Sequence, residues 1–107
     1  MSISTEEFLK VISNPTRKLV LEWLKNPSES FQDYTQLYPY EQYGVCASLI
    51  QQKLGLSQPA TSLSIKFLQD SQLLLATKVG KWTYYRRNED LIDLALQNLY
   101  SELKAEQ

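Results

Sequence analysis

Two helical patterns that meet across three residues constrain this chain more than any other feature. In the stretch 46–54, Cys46, Leu49, Ile50 and Leu54 share one helical face. Gly55 is placed to end that helix in a left-handed conformation. Ser57 is a natural N-cap for the next helix, and Pro59 is tolerated in its first turn. Beyond the cap, Thr61, Ile65 and Leu68 recur at core spacing. The opposite face carries Pro59, Leu63 and Lys66, flanked by Ala60 and Ser62, with Gln58 at the leading end. Phe67 falls near this presented face, so the wing or a neighbouring helix is expected to cover it. Two helices joined by a short Gly-containing turn form a helix-turn-helix. Two runs rich in β-formers follow, Leu73–Val79 and Trp82–Arg87, separated by Gly80-Lys81, a two-residue hairpin signal. A hairpin behind a helix-turn-helix is a wing.

The remaining segments fit around that unit. "STEEFLKVIS" starts with Ser4 or Thr5 ahead of Glu6 and Glu7, and places Phe8, Val11 and Ile12 at helical spacing. In "NPTRKLVLEWLKNP", Asn14 caps, Pro15 suits the first helical position, and Leu19, Val20, Trp23 and Leu24 read as one apolar face. Residues 27–43 hold no steady period but carry Tyr34, Tyr38, Tyr40, Tyr43 and Phe31, which marks an ordered loop with one helical turn rather than a disordered linker. Asn88 caps a last helix whose apolar stripe is too wide for one contact face, so it must bury two sides. The expected fold is mostly α with a small antiparallel β-hairpin: a winged helix-turn-helix in the order α-α-α-α-β-β-α. One domain spans 1–107, with the helix-turn-helix near 45–70, the wing at 73–87 and outer helices near 4–13 and 89–104.

Composition narrows the chemistry. The 107 residues contain no histidine and a single cysteine, Cys46. Ser-His and Cys-His nucleophile pairs and His-based metal sites are excluded, and no disulfide framework exists. With no Gly-rich phosphate loop and no carboxylates clustered on one helix face, no catalytic set assembles, and an enzyme is not expected. No leader or membrane span is apparent, and cysteine usage fits the cytoplasm. Net charge is only −1, but it is unevenly distributed. Residues 66–87 sum to +4 and residues 88–107 to −4, which sets a basic segment beside an acidic tail helix. A local basic stripe is what nucleic-acid binding needs.

At this point the sequence resembles the ArsR/SmtB-type bacterial winged-helix repressors over nearly its whole length. The resemblance rests on "ISNPTRKLVLEWL", "LGLSQPATSLSIKFL" and "GKWTYYRRN". It implies a cytoplasmic homodimer, joined through its first and last helices, that binds palindromic operators and represses transcription. The implied interface comprises Phe8, Val11 and Ile12 with Leu91, Ile92, Leu96, Leu99 and Leu103. The family's Cys-x-Cys metal pair is reduced here to Cys46, Ala47, Ser48, and its His-containing site is missing. Serine is a poor soft-metal ligand, so neither a metal nor another cofactor is expected.

The residues expected to contact double-stranded DNA are Ser57, Gln58, Pro59, Ala60, Ser62, Leu63, Ser64 and Lys66 on the recognition helix, with Lys78, Lys81 and Arg86 on the wing. Arg86 and Arg87 point to opposite sides of their strand, so at most one reaches DNA. Leu63 stands where many family members carry His. With Ala60 and Pro59 it suits thymine methyls, which implies an A·T-rich half-site. The competing reading makes this face a docking patch of a winged-helix protein–protein module. Cys46 reads first as a small buried apolar residue and second as a sensing thiol. Tyr34, Tyr38, Tyr40 and Tyr43 read first as a packed excursion and second as an effector pocket. No effector is identifiable from sequence.

Overall fold

The computed structural model describes residues 2–106. Helix α1 (Thr5–Ile12) is capped by Ser4, whose hydroxyl accepts from the Glu7 amide, and Glu6 and Glu7 oppose the positive end of the helix dipole. Helix α2 (Pro15–Lys25) starts on Asn14, with Pro15 in its first turn. Two single turns, α3 (Pro27–Ser30) and α4 (Tyr40–Tyr43), lie within the Tyr-rich excursion. A two-residue strand, β1 (Val45–Cys46), precedes α5 (Ala47–Leu54). Gly55 ends α5 at φ 69°, and α6 (Gln58–Asp70) follows. Strands β2 (Leu74–Val79) and β3 (Trp82–Arg87) form the wing, and α7 (Glu89–Leu103) closes the chain. Among the described residues no helix is long and apolar enough to cross a membrane.

The winged helix-turn-helix is present, with one strand more than expected. The antiparallel sheet has the order β1-β3-β2, with Val45 opposite Tyr85 and Ala76 also opposite Tyr85 on the other side. Helix α5 itself begins at Ala47, directly after β1. Gly44 causes the extra strand. It sits at φ 89°, and a Cβ there would lie 2.2 Å from the Tyr85 carbonyl oxygen. Only glycine permits that backbone approach, which breaks any helical run and delivers Val45 into the sheet. At Gly80 the conformational demand is different. Its φ of 60° places it at the first position of the two-residue turn, as a Gly-first hairpin requires.

The outer edge of β1 is covered by one side chain. The Gln36 amide donates to the Tyr38 and Gly44 carbonyls, each at 2.8 Å, and its oxygen accepts from the Cys46 amide at 2.9 Å. Gln36 thus occupies the place of a neighbouring strand.

The core draws on nearly every element. Phe8, Val20, Leu24, Phe31, Val45, Ile50, Leu68, Leu73, Tyr84 and Leu91 are buried together. In α2 the buried face is Val20, Leu21 and Leu24, so the expected Leu19 is replaced by Leu21. Asn88 joins wing to tail: its amide donates to the Leu73 carbonyl at 2.9 Å, and its side chain donates to the Gln72 carbonyl at 3.0 Å.

Gly44→Ala is expected to destabilise the fold by about 3 kcal/mol or more, because strain and a backbone clash coincide. Gln36→Ala, which orphans three backbone groups, should cost about 1–3 kcal/mol. Urea denaturation followed by circular dichroism checks both, with Gly55→Ala as the comparison, since a Cβ at Gly55 meets nothing within 4 Å.

Candidate nucleic-acid interface

Helix α6 is anchored on one side and open on the other. Thr61, Ile65 and Leu68 are buried, as the spacing requires. The Ser57 hydroxyl accepts from the Ala60 amide at 3.2 Å, which fixes the first turn. Gln58, Pro59, Ala60, Ser62, Leu63 and Lys66 are exposed, and Ser64 is half-buried at the margin. Leu63, 58% exposed, lies in the centre of this face. The Gln58 side-chain amide donates to the Ser62 hydroxyl at 2.7 Å, so these two polar groups act as one unit. No residue from Ser57 to Ile65 is charged.

Phe67 is met by α2, the neighbouring helix. The Arg17 guanidinium lies 4.6 Å from its ring centroid, while the ring stays 44% exposed. Arg17 also donates to the Val11 carbonyl at 2.8 Å and the Lys10 carbonyl at 3.2 Å. One cation therefore ties the end of α1 to the recognition helix.

Lys78, Lys81 and Arg86 are exposed on the wing. Lys81 lies 5.3 Å from the Trp82 ring centroid. Arg87 turns inward, donates to the Leu21 carbonyl at 3.1 Å and pairs with Glu89 at 2.9 Å. That commitment separates it from Arg86. Lys66 pairs with Asp70 at 2.9 Å, but both side chains are mostly exposed, and such a pair is weak enough to release the lysine.

The four tyrosines pack against the core. Tyr40 donates to the Phe31 and Tyr34 carbonyls, and Tyr38 stacks on Tyr43 with centroids 4.6 Å apart. Both approach Tyr84. Burial pushes the Tyr40 and Tyr84 phenols above their ordinary range, so they stay neutral. Cys46 is buried in β1, its thiol 3.2 Å from the Ser48 hydroxyl. Among the described residues no group of three or more Cys, Asp or Glu could hold a metal ion.

The expected pairing surface needs correction. Phe8, Val11, Leu91 and Ile92 are buried in the chain's own core, and Ile12 is half-buried. Their apolar character is used within the fold. Beyond Ala95 no described residue of α7 is buried, and Leu96, Leu99, Tyr100 and Leu103 form a stripe along it. Tyr100 is 62% exposed and Leu103 77%. Thr5 of α1 donates to the Glu102 carboxylate beside this stripe.

Sequence reasoning missed the cleft between α6 and the wing, bordered by Ser48, Gln51, Trp82 and Thr83. An exposed tryptophan at the first position of a wing strand was the available signal.

No family model matches the chain. The chain is 34% identical over 97 residues to the HTH-type transcriptional regulator YbzH of Bacillus subtilis, covering 91% of this chain and 96% of that one. Its fold is similar to the crystal structure of an ArsR family transcriptional regulator, with a TM-score of 0.60 at 19% identity, covering 98% of this chain and 100% of the other. It also resembles the transcriptional repressor BigR from Xylella fastidiosa, with a TM-score of 0.53 at 19% identity, covering 94% and 87%.

Ser57→Ala should cost about 1 kcal/mol through loss of the cap on α6. Arg17→Ala should cost more, since it removes both the Phe67 contact and the bonds to α1, and Arg17→Lys should not restore the full value. Denaturation midpoints of the three variants measure the ranking.

Proposed function

The chain belongs to the HTH-type transcriptional regulators, in the ArsR-type winged-helix form, and from that premise we propose that it is a homodimeric repressor reading a palindromic operator in the cytoplasm. The observation that carries this reading is the contrast between the leading turns of α6 and the cations that follow them. The leading turns of α6 are small and uncharged, while Lys66 further along the helix and Lys78, Lys81 and Arg86 on the wing are exposed, Lys81 beside Gln58 and Ser62. The cations supply attraction to phosphate, and the small residues let the helix sit deep in the major groove. Gln58 pairs with adenine, Ser62 and Ser64 donate to bases or phosphates, and Pro59, Ala60 and Leu63 pack on thymine methyls. Ser57 faces the backbone at the helix start.

Two copies are joined through the Leu96, Leu99, Tyr100 and Leu103 stripe of α7, with α1 alongside. A two-fold arrangement of this kind places two recognition helices one helical turn of DNA apart. It also sets the acidic α7 helices at the pairing surface and leaves the basic wings to the duplex.

Sequence selection from random DNA with the purified protein is expected to return inverted repeats of A·T-rich half-sites with T at the core positions. Half-sites without T would overturn the thymine-methyl assignment, and no enrichment at any salt would overturn DNA reading altogether. In a salt series, Lys78→Ala and Lys81→Ala should each lower the slope of log K against log salt by about 1. Leu99→Asp and Leu103→Asp should give monomers in analytical ultracentrifugation, with affinity for an inverted repeat reduced to that for a single half-site.

A further inference from the structure

A cleft of about 280 Å³ lies between α5, α6 and β3, and its inner residues Thr61, Trp82 and Thr83 have no part in the DNA reading. Thr61 borders it. Thr61 is only 3% exposed, yet its hydroxyl has no hydrogen-bond partner among the described residues. An unpaired buried hydroxyl is costly, and a ligand oxygen reaching it would relieve that cost. The other polar groups around the cleft are the Cys46 thiol and uncharged hydroxyls and amides, including Ser48, Gln51 and Thr83. Lys81 stands at the rim, and no acidic side chain borders the space among the described residues. Such a lining favours an anion. The Trp82 indole, 44% exposed, borders the cleft, with the Lys81 ammonium 5.3 Å from its ring centroid.

We propose that this cleft binds a small aromatic carboxylate, its ring against Trp82 and its carboxylate between Lys81 and the Thr61 hydroxyl. The volume suits a single-ring metabolite. Gln58 and Ser62 border the same cleft and belong to the presented face of α6. A bound carboxylate therefore competes with DNA for this surface and acts as an inducer. This last step rests on the DNA reading above, whereas occupancy of the cleft does not.

The two are measured separately. In titrations of the DNA-free protein with 4-fluorobenzoate, the Trp82 indole N–H signal in ¹⁵N–¹H spectra should shift saturably while that of Trp23 stays in place. Thr61→Val and Lys81→Gln should each weaken the titration about fivefold or more. The neutral isostere 4-fluorobenzamide should leave the Trp82 signal unmoved. No saturable shift, equal binding of the amide, or an unchanged affinity in Thr61→Val would overturn the proposal. So would saturation by inorganic phosphate with none by 4-fluorobenzoate, which would make the cleft a seat for a DNA phosphate. With the selected operator, 4-fluorobenzoate should raise the protein concentration needed for half-saturation, and an unchanged value would overturn competition alone.

Discussion

Gly44 passing over the Tyr85 carbonyl is the contact on which the rest of the architecture is set. Because no side chain intervenes, the backbone after the Tyr-rich excursion enters the sheet and pairs with β3. That pairing fixes where α5 begins, and α5 fixes the turn at Gly55 and the start of α6. It also seals Tyr84 against Tyr38 and Tyr43, so the aromatic excursion and the wing share one core. The position of the presented helix thus depends on a backbone approach some fourteen residues earlier in the chain.

In the proposed reading, attraction and fit fall to different elements. Exposed cations sit on the wing and late in α6, and the leading turns of α6 carry none. Long charged side chains there would hold the helix away from a groove floor, whereas Ala60 and Ser62 keep it slim. Arg87, adjacent to an exposed arginine in sequence, is withdrawn to bind Leu21 and Glu89. The −4 balance of the tail lies on α7, so like-signed repulsion from phosphate favours placing that helix away from DNA.

Much of the fold was legible because its signals were local. Asn14, Ser57 and Asn88 each cap the helix they announce, and Gly80-Lys81 makes the turn between strands. The core face of α6 followed from spacing alone. Strand β1 was not legible, since two residues carry no period and their pairing partners lie some forty positions away. Leu19 and Leu21 were exchanged because both are leucines near one face, and only packing against the rest of the core separates them. The apolar stripe on α7 was legible in part: its width was evident, but which part serves the core depends on where the helix leaves the body. The α6–wing cleft was hidden because its residues come from several separate elements, and only Trp82, at the start of a wing strand, stood out.

Gln36 has a consequence for the chain as a solute. A two-residue strand at the edge of a sheet is a template onto which a strand of another molecule can add. Here the Gln36 amide meets the Gly44 carbonyl and the Cys46 amide, the groups an incoming strand would use. A single glutamine therefore serves as a gatekeeper against β-augmentation. It closes the β1 edge to an incoming strand, and the wing strand β2 forms the other edge of the sheet.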